Sequence, residues 1–179
     1  MLPNVRHVLL CDKNGETLGT MDVPKAHEGE GKLHRAFSIF IFKKDTHELL
    51  IQQRNKDKNL FPLLWANTCC SHPQEGEDLI ESGKKRLKEE LGFSCDLEPK
   101  SSFVYQAEDP NGNGAEHEYD TILVGEIDDN TEIKPNAEEV ADWRWIAAEE
   151  LCKELDEKPD TFGPWFPIAL NILFGENNG

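Results

Sequence analysis

Three histidines and two closely spaced glutamates are the residues of this sequence best suited to hold a metal ion: His27, His34, His72, Glu116 and Glu118. Residues two apart in a strand point to one face, so Glu116 and Glu118 project together while His117 turns away. Imidazole and carboxylate ligands together suit a divalent metal. A Glu-His-Glu run after a turn is also typical of a solvated strand start, and spacing alone favours that ordinary interpretation.

The same period of two separates the adjacent cysteines of the segment Asn67-Thr68-Cys69-Cys70-Ser71-His72-Pro73. In a strand, Cys70 shares a face with His72, whereas Cys69 shares one with Asn67. The odd number of cysteines and the absence of a C-x-x-C pattern indicate free thiols rather than bridges. Free thiols usually serve packing, and that interpretation is favoured for Cys11, Cys69, Cys95 and Cys152. Cys70 is therefore the candidate reactive thiol.

Arg86 and Glu90 stand four residues apart on a predicted helix and share a face. They form either a surface ion pair worth about 0.3 kcal/mol, or a site in which Arg86 faces an anion and Glu90 holds a hard cation. Arg54 and Lys58 would complete a basic pocket, although each is more often simply a solvated charge.

Turn signals and hydrophobic periodicity predict the strands that position these residues. The Asn14-Gly15 turn predicts a hairpin of residues 5–11 and 17–21, followed by an irregular loop over 22–33. A second hairpin is predicted from residues 36–42 and 48–54. Further strands are predicted at 65–70, 101–107, 117–127 and 142–146.

Helices are predicted at 78–91, 147–156 and 164–174. The first of them ends at Gly92 and carries an apolar stripe at spacings of three and four: Leu79, Ile80, Gly83, Leu87 and Leu91. Strands and helices alternate without a strict βαβ order, which favours an α/β sandwich over a doubly wound sheet.

Length, composition and charge indicate the class of protein. With 179 residues, 37% hydrophobic and 30% charged, the chain suits one soluble domain over 1–179, with 176–179 as a disordered tail. A formal charge of −16 argues against nucleic acid or an anionic membrane as a partner. The N-terminal stretch lacks a signal-peptide core, and no run approaches the roughly 20 apolar residues of a spanning helix. A cytoplasmic location is therefore expected.

Taken together, these residues resemble the type I isopentenyl diphosphate isomerases, which are built on the Nudix fold. The resemblance runs from about Leu9 to Trp165, through Ala26-His27, Leu33-His34-Arg35-Ala36-Phe37-Ser38, Gln53-Arg54, Phe61-Pro62, Trp65-Ala66-Asn67, Cys70-Ser71-His72-Pro73, Lys88-Glu89-Glu90-Leu91-Gly92 and Glu116-His117-Glu118. The Cys-x-His-Pro element with two upstream histidines and a later Glu-x-Glu is specific. The resemblance implies one domain, an α/β/α sandwich with a mixed sheet, and an N-terminal hairpin extension within residues 1–30.

The resemblance also implies roles for the candidate residues. The metal ligands would be His27, His34, His72, Glu116 and Glu118, holding manganese, zinc or magnesium. The reacting groups would be Cys70 and Glu118, with Tyr105 and Trp165 lining the pocket. The family likeness and the absence of a heptad pattern suggest a monomer.

The diphosphate would bind through a second group of residues. Glu90 would hold a magnesium ion that also binds the diphosphate, whose oxygens Arg54, Lys58 and Arg86 would contact. Lys25 is the candidate for the family's common lysine, although it stands two residues nearer to His27 than expected.

The implied reaction converts isopentenyl diphosphate to dimethylallyl diphosphate, in isoprenoid biosynthesis, through a tertiary carbocation. An alkene is a weak base, so its protonation needs a positioned acid in a site closed to water. Cys70 and Glu118 would supply the two proton positions, in an order that the sequence leaves open. The Trp165 indole would stabilise the cation by about 2 kcal/mol, although Trp165 and Tyr105 could also be ordinary core aromatics.

Two other functions remain open at this point. Nudix hydrolases of nucleoside or other diphosphates resemble the pattern G-x5-E-x7-R-E-U-x-E-E-x-G-U, in which U is a bulky aliphatic residue. Aligned on that pattern, this chain has Lys85-Arg86 in place of Arg-Glu, and Ser71 and Glu77 at the two leading positions. A guanidinium in place of a metal-binding carboxylate disfavours hydrolysis and favours a diphosphate clamp. The third possibility is a catalytically silent Nudix domain that only binds its ligand.

Overall fold

Nine strands and four helices form within residues 6–175, the part of the chain that the computed structural model describes. In chain order they are β1 (His7–Cys11), β2 (Thr17–Asp22), α1 (Val23–Ala26), β3 (His34–Lys43), β4 (Leu49–Arg54), β5 (Trp65–Ala66), β6 (Cys69–Ser71), α2 (Leu79–Leu91), β7 (Glu98–Glu108), β8 (Ala115–Ile127), β9 (Val140–Ile146), α3 (Ala148–Glu157) and α4 (Trp165–Gly175). The predicted disordered tail, 176–179, lies outside the described residues, as do residues 1–5. No helix of residues 6–175 is long and apolar enough to cross a membrane.

Strand β3 organises the sheet because alternate side chains face opposite sides. Phe37, Ile39 and Ile41 are buried in one cluster with the apolar face of α2. Phe40 lies in the other cluster, with its ring centroid 6.0 Å from that of Phe166 on α4. Strand β3 pairs in parallel with β8 along its whole length and antiparallel with β6. This mixed sheet with helices on both faces confirms the predicted sandwich.

The predicted N-terminal hairpin is confirmed and lies beside the candidate site. Strands β1 and β2 pair antiparallel, and Gly15 in their turn has a φ of 82°, which favours glycine. Strand β1 also pairs with β3 at Leu10 and His34. The hairpin therefore covers the edge of the sheet where the first two candidate histidines are found.

The irregular loop predicted over 22–33 is corrected at its start. It contains α1, a single helical turn with Pro24 near its beginning, which is too short to show periodicity. The backbone N–H of Val23 donates to the carbonyl of Arg6 at 3.0 Å, and the turn ends at His27. This turn fixes where His27 enters the site.

The predicted strand over 65–70 divides into β5 and β6, because Asn67 and Thr68 lie as a wedge between β3 and β4. Thr68 Oγ1 accepts from Ile41 N at 2.9 Å and donates to Leu50 O at 2.6 Å, so it joins the two strands. The predicted hairpin of β3 and β4 consequently pairs only at Phe42 and Leu49. Side-chain bonds here satisfy buried backbone groups that a regular ladder would otherwise pair.

Helix α2 forms as predicted and holds Arg86 and Glu90 on a buried face. Asp78 caps its first turn by accepting from the N–H groups of Ile80 and Glu81, and Gly92 ends it with a φ of 79°. Leu87 and Leu91 are fully buried, whereas Leu79 and Ile80 are only partly covered. The apolar stripe thus anchors the helix mainly through its second half.

Replacing Asp78 by alanine should lower the free energy of unfolding by about 1 kcal/mol, because two N–H groups lose their acceptor. Urea denaturation measures the change. Asp78→Asn is the matched control, since its side-chain oxygen still caps the helix and should retain nearly all of the stability. Equal losses in both variants would show that the carboxylate charge, rather than the cap, stabilises α2.

Candidate active site

A cavity of about 390 Å³ opens where α1, β3, β6, β8 and the start of α4 meet. Most of the candidate residues line it, although they are far apart in the sequence. Its lining comprises Arg6, Val23, Pro24, His27, Ser38, Arg54, Lys58, Asn59, Leu60, Cys70, Ser71, His72, Arg86, Tyr105, Glu116, Glu118, Asp120 and Trp165.

The predicted metal ligands converge at one end of this cavity. One ligand atom from each of His27, His34, His72 and Glu116 can be chosen so that all four lie within 4.8 Å of one another. His34 Nε2 lies 3.2 Å from His72 Nε2 and 3.8 Å from Glu116 Oε2. Glu118 Oε2 completes the group at 3.9 Å from His72 Nε2. The buried pair Glu116 and Glu118 shares a face while His117 bonds to Gly31, as strand periodicity predicts.

These donors suit a divalent cation. His27 Nε2 lies 3.0 Å from Glu116 Oε2, yet among residues 6–175 neither buried atom has a partner with hydrogen-bond geometry. Burial lowers the pKa of both His34 and His72, which favours the neutral imidazoles that bind metals. His34 Nδ1 lies 2.7 Å from Lys32 O, and a bond there directs Nε2 toward the cluster. A divalent ion would satisfy both unpartnered atoms.

Glu118 has a second partner on the neighbouring strand. Tyr105 stands opposite Glu118 in the β7–β8 register, and its hydroxyl donates to Glu118 Oε1 at 2.5 Å. Burial, followed by the charge of Glu116, raises the pKa of Glu118 well above its ordinary value. Burial also raises the pKa of Tyr105, so that its hydroxyl stays protonated and able to donate. Tyr105 therefore holds the Glu118 carboxyl group at the cavity wall.

Cys70 lies on another wall of the same cavity, where buried polar side chains surround its sulfur. Its Sγ donates to Asn67 Oδ1 at 3.1 Å and lies 3.6 Å from Ser38 Oγ. Trp165 Nε1 donates to the same Asn67 oxygen at 3.0 Å. Burial raises the pKa of the Cys70 thiol, so the group carries its proton at neutral pH. Asn67 thus orients both the thiol and the indole.

A cationic cluster occupies a further part of the cavity. Arg86 pairs with Glu90 at 2.9 Å and with Glu139 at 3.0 Å, and Lys58 also pairs with Glu139. Burial opposes the charge of Arg86, but these carboxylates outweigh it and raise the pKa of Arg86 overall. Arg86 and Glu90 are therefore a buried pair at the cavity, not the surface pair that spacing alone allowed.

Arg54 and Glu90, the remaining predicted residues near this cationic cluster, each have partners of their own. The Arg54 guanidinium lies 5.5 Å from the Trp165 ring centroid and donates to the carbonyls of Leu60 and Phe61. Glu90 Oε2 accepts from Gln52 at 3.0 Å and borders a small void that adjoins Cys70 and Lys58. Arg54, Lys58, Arg86 and Glu90 thus lie near one another.

Comparison with known proteins identifies the family. A NUDIX domain model matches residues 32–166. The isopentenyl-diphosphate Delta-isomerase of Nocardia farcinica is 42% identical over 166 residues, which cover 92% of this chain and 93% of that protein. The enzyme of the same name from Serratia proteamaculans is 41% identical over 166 residues, covering 93% and 90% of the two chains. This chain belongs to the isopentenyl-diphosphate Delta-isomerase family of Nudix proteins.

Solved structures show the same fold at greater distance. A crystal structure from Deinococcus radiodurans superposes with a TM-score of 0.65 at 19% identity, covering 86% of this chain and 90% of that one. A MutT protein from Methanosarcina mazei also gives 0.65, at 15% identity, with coverages of 82% and 96%. At these identities the likeness concerns the fold alone. The isomerase family assignment therefore rests on the sequence relatives.

Lys25 is the predicted residue that does not join the others. Its Nζ lies 3.7 Å from Asp22 Oδ2, and its side chain is 68% exposed. It is not among the residues that line the cavity; at the start of α1, Val23 and Pro24 form the wall instead. Lys25, the predicted diphosphate contact, therefore does not line the cavity.

Sequence periodicity does not reveal several residues that shape the site. A continuous strand would place Asn67 on the face of Cys69, but the break at Thr68 turns Asn67 toward Cys70. Ser38 donates to Asp120 Oδ2 at 2.6 Å, and burial raises the pKa of Asp120 to about 7. The period of two could have placed Asp120 beside Glu118.

Metal uptake offers a direct test of the ligand cluster. Manganese or zinc should raise the melting temperature of the wild-type protein, because an ion that binds only the folded state stabilises it. His34→Ala should lose most of this shift. His117→Ala is the matched control, since His117 lies between the two glutamates but faces away, and it should retain the shift. Equal metal-dependent shifts in both variants would contradict the proposed cluster.

Proposed function

We propose that this protein converts isopentenyl diphosphate to dimethylallyl diphosphate, the activity for which its relatives from Nocardia and Serratia are named. One observation carries the proposal: the Cys70 thiol and the Glu118 carboxyl group open on one cavity that also contains the Trp165 indole. Each of the two proton-bearing groups has its own buried partner, Asn67 for Cys70 and Tyr105 for Glu118. The cavity therefore offers two separately oriented proton positions.

The proposed reaction uses these two positions in sequence. One group adds a proton to the terminal carbon of the alkene, which leaves the positive charge on the tertiary carbon. The other group, which must be deprotonated at the start, removes a proton from the carbon on the diphosphate side of that centre, which places the double bond in its new position. The geometry leaves open which of Cys70 and Glu118 acts first. No atom is gained or lost overall, as an isomerisation requires.

Trp165 would stabilise the carbocation. The indole face stabilises a nearby cation by about 2 kcal/mol when water is excluded. Its N–H is held by Asn67, so the ring cannot turn away from the cavity without losing a buried hydrogen bond. Exclusion of water also prevents capture of the cation by a nucleophile.

The proposal includes two divalent ions. His27, His34, His72, Glu116 and Glu118 would hold manganese, zinc or magnesium, and Glu90 would share a magnesium ion with the diphosphate. Bound metal would neutralise the buried carboxylates and, through Glu90, part of the diphosphate charge. Arg54, Lys58 and Arg86 would orient the diphosphate, and the alkene would then lie between Cys70 and Glu118. All these residues come from one chain, so the proposed site needs no residue of a second subunit.

The hydrolase alternative is not favoured by the arrangement of α2. Arg86 stands where the hydrolase pattern has a metal-binding glutamate, and it pairs with Glu90 and Glu139. A guanidinium at that position repels a cation instead of binding it. The helix therefore offers fewer carboxylates to a metal cluster for pyrophosphate hydrolysis.

Deuterium exchange tests the proposal directly. The wild-type protein, incubated with isopentenyl diphosphate, magnesium and manganese or zinc in heavy water, should yield dimethylallyl diphosphate that carries deuterium. Mass spectrometry measures both the isomer and the label. Release of phosphate from a nucleoside diphosphate without isomerised product would support a hydrolase instead. Ligand binding without any turnover would support a silent Nudix module.

A further inference from the structure

Two of the predicted diphosphate cations, Arg86 and Lys58, are engaged by carboxylates of their own chain. Arg86 contacts Glu89, Glu90 and Glu139, and Lys58 pairs with Glu139 as well. Arg54 is hydrogen bonded to two backbone carbonyls. Three positive charges therefore face three negative charges, and the cluster is formally neutral. Further positive charge at this end would strengthen the binding of a diphosphate.

Arg6 also lines the cavity, and among residues 6–175 it has no such carboxylate partner. Its side chain borders the main cavity and also an adjoining cleft of about 260 Å³. Within residues 6–175, Arg6 and Arg86 are the two arginines that line both spaces. Among the same residues, no carboxylate lies within 4.0 Å of the Arg6 guanidinium, so its charge is not cancelled by an ion pair.

The backbone holds Arg6 in this position. Its carbonyl oxygen accepts from Val23 N at 3.0 Å, at the start of the helical turn that leads to His27. Val23 and Pro24 form an uncharged wall beside it. The carboxylate of Glu77, which borders the cleft, already accepts from Ser82 at 2.6 Å and from Lys85 at 3.3 Å. An anion in this region would therefore find Arg6 available.

We propose that Arg6 binds the diphosphate of the substrate, together with Arg86, across the junction of the cavity and the cleft. This inference rests on the proposed isomerase function for the identity of the substrate. A guanidinium can contact two phosphate oxygens at once, so Arg6 would both attract and orient the diphosphate. Lys25 pairs with Asp22 and does not supply a cation to the cavity. Arg6 would supply that cation instead.

Kinetics and direct binding test the role of Arg6. Arg6→Ala should raise KM for isopentenyl diphosphate about tenfold, the loss expected for one charged contact at a partly exposed site, with little change in kcat. Calorimetric titration with inorganic pyrophosphate and magnesium should show the same loss of affinity. Arg6→Lys should be intermediate, because it keeps the charge but loses the two-pronged contact.

Lys13→Ala is the control, because it removes the same charge from the exposed turn of the same hairpin and should change neither KM nor pyrophosphate affinity. Wild-type affinity and KM in Arg6→Ala would overturn the inference, as would an equal loss in Lys25→Ala. The wild-type protein could instead lack isomerase activity while Arg6→Ala still weakens pyrophosphate binding. That result would overturn the proposed function but keep the anion site. The two failures are therefore distinguishable.

Discussion

Cys70→Ala should reduce isomerisation, and deuterium uptake from heavy water, by at least about a thousandfold, the range of a lost acid or base group. The thiol is the proton-bearing group on its wall of the cavity, and alanine carries no exchangeable proton. The fold should survive, because the neighbouring contacts of Asn67 with Trp165, Ile39 and Cys69 do not involve the sulfur. Mass spectrometry of the product and a melting curve measure the two effects separately.

Cys95→Ala provides the matched control for that experiment. Cys95 is a half-buried free thiol like Cys70, but it packs against the other core cluster, away from the cavity. Its replacement should leave the rate of deuterium uptake unchanged. A fully active Cys70→Ala enzyme would exclude Cys70 from the proton steps, and equal losses in both variants would point to a general effect on the fold.

Local periodicity predicted the parts of the site that lie within single elements. The period of two placed Glu116 and Glu118 on one face of β8 and turned His117 away, and the helical period placed Arg86 beside Glu90. Such relations depend only on backbone geometry, which the sequence reveals through its spacing. The helix caps at Asp78 and Gly92 could be predicted for the same reason.

Relations between distant segments could not be predicted in this way. The wedge of Asn67 and Thr68 depends on which strands it separates, and a single sequence does not reveal strand order. Glu139 contacts Lys58 and Arg86 from a loop far along the chain. Lys25 pairs with Asp22 whereas Arg6 lines the cavity, a difference that their places in the sequence do not reveal. Each of these depends on tertiary contacts rather than on local pattern.

The two glutamates of β8 should respond differently to loss of their charge, because their surroundings differ. Glu116 lies within the histidine cluster, with Oε2 at 3.0 Å from His27 Nε2 and 3.8 Å from His34 Nε2. Glu118 lies at its edge, at 3.9 Å from His72, and its other oxygen meets the Tyr105 hydroxyl at the cavity wall. We therefore propose Glu116 as a metal ligand, and Glu118 as a ligand that also carries a proton.

Glu118→Gln should reduce the rate of deuterium uptake by a factor of about a thousand or more, because a carboxamide neither donates nor accepts a proton at the reacting carbon. Saturating manganese or zinc should not restore the rate. Glu116→Gln should instead weaken metal affinity, and excess metal should recover much of its activity. Metal titrations of rate and of melting temperature, carried out on both variants, measure this contrast. Recovery of Glu118→Gln by added metal would show that Glu118 serves only to hold the ion, and Cys70 would then need a different proton partner.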